Sequence, residues 1–231
     1  MNSKLGRIIR IVFIVFMGMT GFMNLVGGIG TSCAAFFTKK YPPMWSLLDY
    51  QWLYQTFVVV TTLIGIAGIW ATISLVRARK GSYNLSLIVL VLGCVIGAIH
   101  YFSSLALRGA ATPANVVFFI NVGTLVIALL FKIPKIREQV DLEKPAAKSD
   151  RLAAAGLASI VAGAVLLTVV YWAGPSHMYE GVNWVNVIFW PLNISGTLLA
   201  FGGFGLLVYA RKLDALLEQK SAQAGVLTQV K

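Results

Sequence analysis

Long apolar blocks constrain this chain more than any other feature of it. Six can be read along the sequence, at residues 8–30, 52–75, 85–107, 114–131, 152–172 and 184–209. A helix needs about 20 residues to cross a hydrocarbon layer about 30 Å thick, and backbone polar groups inside that layer must be satisfied within the segment. Barrel strands are shorter, about 10 residues, and alternate in polarity, which these blocks do not. The expected fold class is all-α: a polytopic membrane protein, a bundle of about six transmembrane helices forming one domain over residues 1–210, with a linker at 132–151 and a tail at 211–231. Of the 231 residues 58% are hydrophobic and 12% charged, against roughly 25% charged in a soluble chain. A water-facing surface cannot be built from so few charges.

Orientation follows from lysine and arginine, which accumulate in cytoplasmic loops. With alternating loops, one side holds 16 of the 19 basic residues and the other only Lys39, Lys40 and Arg108. Both termini are therefore expected in the cytoplasm, with the chain in the plasma (inner) membrane. The net charge of +11 would suit nucleic acid if a soluble element presented it. Here the basic residues flank apolar blocks, where anionic lipid accounts for them. The expected partners are the bilayer and other membrane subunits or a second copy of the chain, not nucleic acid.

The basic start and first apolar block also describe a secretory signal, but the block is longer than the usual apolar run of about 7 to 15 residues. Gly30 stands three before Cys33, where a lipoprotein cleavage site calls for an aliphatic residue. An uncleaved first helix is expected. Cys33 and Cys94 lie at different depths, so no disulfide between them is expected. The 31–51 loop, broken by Pro42 and Pro43 and rich in aromatic residues, reads as an interfacial turn or short helix. The 132–151 linker, with six basic and four acidic residues, reads as solvated. Gly93-x-x-x-Gly97, the alanine row Ala154, Ala158 and Ala162 with its neighbours, and Gly65, Gly68 and Ala71 are the small-residue rows that let helices approach.

Every Asp, Glu, Lys and Arg lies in a loop, a tail or a helix end, which leaves His100 as the group in the interior of the blocks that titrates near neutral pH. Proton pumps, voltage sensors and many ion-coupled transporters need buried charge, so those classes are disfavoured. Uncharged polar residues gather towards the outer ends: Asn24, His100, Ser103, Ser104, Asn121 and Asn193 are the candidate ligand-binding residues of an outer polar cavity. His100 and His177 are the candidate cofactor residues, since imidazole can ligate haem or hydrogen-bond a quinol. No metal site is expected, because no histidine or cysteine pair has ligand spacing. No phosphate loop, nucleophile elbow or dinucleotide motif is present in the sequence, so no catalytic residue is assigned and an enzyme is not the favoured reading. The favoured function is a non-enzymatic subunit that binds or transports a small molecule in an outer cavity. The alternatives are a haem- or quinone-binding subunit of a redox complex, and a scaffold without ligand.

Overall fold

A computed structural model describes residues 4–140, 142 and 147–229. Positions 141 and 143–146 of the 132–151 linker, and 230–231 of the tail, lie outside the described residues. The fold is all-α apart from one two-residue hairpin. Its helices are α1 (Lys4–Gly30), α2 (Ser32–Ala35), α3 (Gln51–Val76), α4 (Ser82–Arg108), α5 (Ala114–Leu130), α6 (Pro134–Arg137), α7 (Lys148–Leu167), α8 (Val169–Ala173) and α9 (Phe189–Gln229). Strands β1 (Met178–Tyr179) and β2 (Val182–Asn183) pair antiparallel. Among the described residues five helices are long and apolar enough to cross a membrane, and α5 is a shorter apolar helix of 17 residues.

The long helices run up and down. α1 is central and packs on α3, α5 and α7, while α4 closes a four-helix bundle against α3 and α5; α9 packs chiefly on α7. The end that carries the N-terminus is called proximal below and the opposite end distal. Glycine decides how close the helices come. A Cβ added to Gly21 of α1 would lie 2.8 Å from the backbone of Gly68 in α3, nearer than side chains tolerate, so the two backbones touch. In the hairpin of α7 and α9, a Cβ on Gly163 would meet Gly196 O at 2.6 Å and one on Gly156 would meet Gly203 O at 2.7 Å. Both pairs recur at seven residues, which keeps them on one face of each helix. The buried alanines Ala154 and Ala162 lie on α7 beside these glycines. On α4, the Gly93-x-x-x-Gly97 row receives Asn121 and Phe118 of α5.

A chain of polar groups inside the bundle is paired. Thr20 and Thr124 hydroxyls meet at 2.7 Å. Asn24 Nδ2 donates to Thr20 O at 2.8 Å and to Asn121 Oδ1 at 3.3 Å, and Asn121 Nδ2 donates to Val117 O at 2.7 Å. Such bonds satisfy groups that would be costly in an apolar interior. At the proximal end Phe13 packs on Phe131, ring centres 4.9 Å apart, and Tyr83 donates to Ala128 O at 2.8 Å.

Three features differ from the sequence expectations. The linker is not wholly solvated: Val140 and Leu142 are buried in the same apolar cluster as Phe13 and Phe131. The 152–172 block is interrupted at Thr168, where α7 ends and α8 begins. The last helix starts at Phe189 and not at Trp184, after a 3-10 turn at Trp184–Ile188.

Candidate functional site

The distal end is built from three connections. The first, between α1 and α3, folds as α2 followed by 3-10 turns at Thr38–Lys40 and Pro42–Tyr50. Its apolar residues Met44 and Leu47 turn inwards onto Ala34, Ala35, Tyr54 and Phe57. Thr38 holds the connection to its flanking helices, donating to Ala34 O at 2.6 Å and accepting from Gln51 Nε2 at 2.8 Å. The second is the turn between α4 and α5, entered through Gly109 at φ +66°. The third runs from α8 through a 3-10 turn at Gly174–His177, the β hairpin and the Trp184–Ile188 turn.

Arg108, the last residue of α4, joins all three. Nη2 donates to Thr112 O at 2.8 Å, Nη1 donates to Ser176 O at 3.3 Å, and Nη1 approaches Met44 Sδ at 3.4 Å. Among the described residues no aspartate or glutamate pairs with it. A guanidinium has five donors in a fixed fork, so these contacts leave some of them unused.

Beside Arg108 lies a cavity of about 20 Å³. Its polar lining includes Tyr54, His100, Ser104, Arg108, Cys33 and His177, with Thr31 and Thr112. The Tyr54 and Ser104 hydroxyls are 2.9 Å apart. His100 is 5% exposed and stacks on Phe57 at 4.3 Å between ring centres. Among the described residues neither of its ring nitrogens has a hydrogen-bond partner. This space takes about one water.

Adjoining it is a larger cleft of about 550 Å³ between the bundle and the hairpin of α7 and α9. Phe22, Val26 and Ile29 of α1 form one wall; Leu166, Val169, Trp172, Leu192 and Leu199 form the other; Tyr41 and Trp184 stand at the distal rim. Gly30, Cys33, Met44, Pro113 and His177 line both spaces. Ser32, Cys33, His177 and Ser195 are the polar side chains of an otherwise apolar and aromatic surface.

His177 Nδ1 lies 2.9 Å from Ala173 O and 3.0 Å from Ser176 Oγ. A carbonyl can only accept, so Nδ1 carries the proton and Nε2 of the neutral ring bears the lone pair. Burial pushes this imidazole below its ordinary value of 6.5; the bond to Ala173 O opposes the fall and the Arg108 charge adds to it. His177 is neutral at pH 7.

The residues singled out from sequence are divided by the fold. Asn24 and Asn121 bond to each other inside the bundle. Asn193 donates to Phe189 O of its own helix at 2.9 Å. Ser103 lines neither space, whereas His100 and Ser104 line the small cavity. His100 and His177 do share that cavity, but about 20 Å³ leaves no room for a porphyrin between them, and His100 does not reach the cleft. Among the described residues no three of His, Cys, Asp and Glu come together around one point, and Cys33 and Cys94 are free thiols. Sequence reasoning passed over Tyr54, Trp172 and Trp184, and it counted Arg108 only as a charge. The available signal was that Arg108 is a basic residue closing an apolar block on the side poor in basic residues.

No family model matches this sequence, and no curated protein or solved structure matches it either.

Proposed function

We propose that this chain is a six-span protein of the plasma membrane, with both termini cytoplasmic, that binds a small amphipathic molecule from the outer leaflet without transforming it. The cleft of about 550 Å³ carries this reading. Ligand sites are concave, mostly apolar, roughly 300–1,000 Å³ in volume, and carry a few converging polar groups. The cleft has that size and lining. Three further observations support the membrane setting. Five helices suffice in length and hydropathy; the 17 residues of α5 reach the lower end of the spanning range of about 17–25; and alternating loops along the sequence divide the basic residues 16 to 3. Transport, or capture for a partner subunit, fits a chain whose α9 leaves Leu198, Phe201 and Phe204 exposed to lipid or to a neighbour.

Two measurements test the proposal. An impermeant thiol reagent applied to intact cells labels Cys33 in the Cys94→Ser variant; labelling only in inverted vesicles overturns the orientation. In nanodiscs, the methyl ester of cis-parinaric acid quenches tryptophan emission saturably, because Trp172 and Trp184 line the cleft. Ser195→Phe, which fills the cleft from α9, removes that saturable component. Quenching that rises linearly with probe and ignores the substitution is simple partition into lipid, and it rejects the cleft as a binding site.

A further inference from the structure

The cleft accounts for the apolar body of an occupant, and the cavity beside it bears on the head. Arg108 is a cation held at the closed end of an apolar bundle. Its bonds go to two neutral carbonyls and a thioether, and among the described residues no carboxylate neutralises it. Arg108 is half-buried, and a charge withdrawn from water is ordinarily paired, because its desolvation is otherwise uncompensated. Across the same cavity His100, 5% exposed, has two ring nitrogens without hydrogen-bond partners among the described residues. Tyr54 and Ser104 share one hydrogen bond between two hydroxyls, which leaves one hydroxyl proton free to donate. The cavity therefore gathers a cation and unused donors around a space that lacks an acceptor with charge.

From this geometry we infer that the occupant is a single-chain amphiphile with a carboxylate head, its chain in the cleft and its head in the small cavity against Arg108, His100 and Ser104. The inference rests on the cleft being a binding site. Volume selects the head: about 20 Å³ admits about one water-sized atom, which one carboxylate oxygen satisfies and a tetrahedral phosphate ester exceeds. Chemistry agrees, since the planar guanidinium fork matches a carboxylate. Access is at Gly30, which lines both spaces and puts bare backbone in the shared wall. A Cβ there would find Pro113 Cγ at 3.9 Å as its nearest neighbour, so the wall is loosely packed at that point.

The test compares cis-parinaric acid with its methyl ester, bound to the full chain in phosphatidylcholine nanodiscs and read by quenching of tryptophan emission. The expected result is at least tenfold tighter binding of the acid. In Arg108→Gln the acid falls to within twofold of the ester, while ester binding is unchanged and reports an intact cleft. Equal affinities in the native chain, or an acid preference that survives Arg108→Gln, overturn the carboxylate and leave the cleft reading standing. Absence of saturable binding for both probes overturns both. If Arg108→Gln loses the ester as well, because it also unties the three connections, His100→Phe decides. It keeps the stack on Phe57 and is expected to weaken the acid at least threefold with no change for the ester; an unchanged acid affinity rejects the inference. Competition by phosphatidylglycerol added to the nanodiscs, at the expense of the acid alone, overturns the single-chain ligand in favour of a lipid headgroup.

Discussion

The four-helix bundle and the hairpin of α7 and α9 are joined in different ways. In the bundle, besides the backbone approach of Gly21 to Gly68, helices meet through polar side chains that name their partners: Thr20 with Thr124, Asn24 with Asn121, Tyr54 with Ser104. In the hairpin the closest approaches are at glycines, Gly156 against Gly203 and Gly163 against Gly196, where backbone meets backbone. Half of the most apolar window in the first span is buried, against 11% of that in the last. Polar pairs fix rotation and register, whereas glycine pairs only permit approach. The cleft lies along the seam between these two kinds of joint.

The largest expected effect is steric and belongs to the hairpin. Gly163→Leu forces a side chain onto Gly196 O and should cost about 1–3 kcal/mol or more, read as a fall in midpoint when the purified chain is unfolded by heat. Gly202→Leu is the control on the partner helix: among the described residues nothing lies within 4 Å of its Cβ position, and the midpoint should hold. Equal losses for the two would show that helix propensity, not close approach, is being measured.

A smaller effect is expected in the bundle, and it should be non-additive. Gly93→Ala places a methyl group on Asn121 Oδ1, while Asn121→Ala removes a hydrogen bond of a class worth about 0.6 and at most about 1.7 kcal/mol in membranes. The double variant should be more stable than the sum of the two losses allows, because the second substitution clears the space that the first needs. Strict additivity would mean that Gly93 and Asn121 do not pack as described.

The smallest effect concerns pH and the connection that ties the hairpin to the distal end. His177 takes up a proton less readily in the folded chain than in the unfolded one. The unfolded state therefore binds more protons between the lowered value and 6.5, and stability falls as pH drops through that window. The midpoint of the native chain should decline from pH 7 to pH 5, and His177→Gln should decline less. A decline unchanged by the substitution would assign the acid sensitivity to other groups.

Much of the helix layout was legible because hydropathy and backbone satisfaction act locally. Gly93-x-x-x-Gly97 was also readable as a contact row, since both positions lie on one helix face. Which residues fill that row was not readable: that Asn121 and Phe118 occupy it depends on the rotation of α5. The small-residue rows of the fifth block include Gly163 but not Gly156, and the partners of both, Gly196 and Gly203, lie in another helix. The candidate site was least legible. Polar residues were grouped by depth alone, which placed Asn24 beside His100; the fold turns Asn24 into the bundle and His100 towards Arg108. The inward turn of Met44 and Leu47 arises from a proline-rich connection whose path no periodicity encodes.

The length of α9 has a mechanical consequence. Its 41 residues form a continuous rod of about 60 Å at 1.5 Å per residue, with Ser195 and Leu199 near one end forming part of the cleft wall. A rod pivoting near its first turns converts a small change of angle at the wall into a displacement many times larger at Gln229. The cleft wall and the far end of this helix thus belong to one rigid element, and a tilt at the first is a swing at the second.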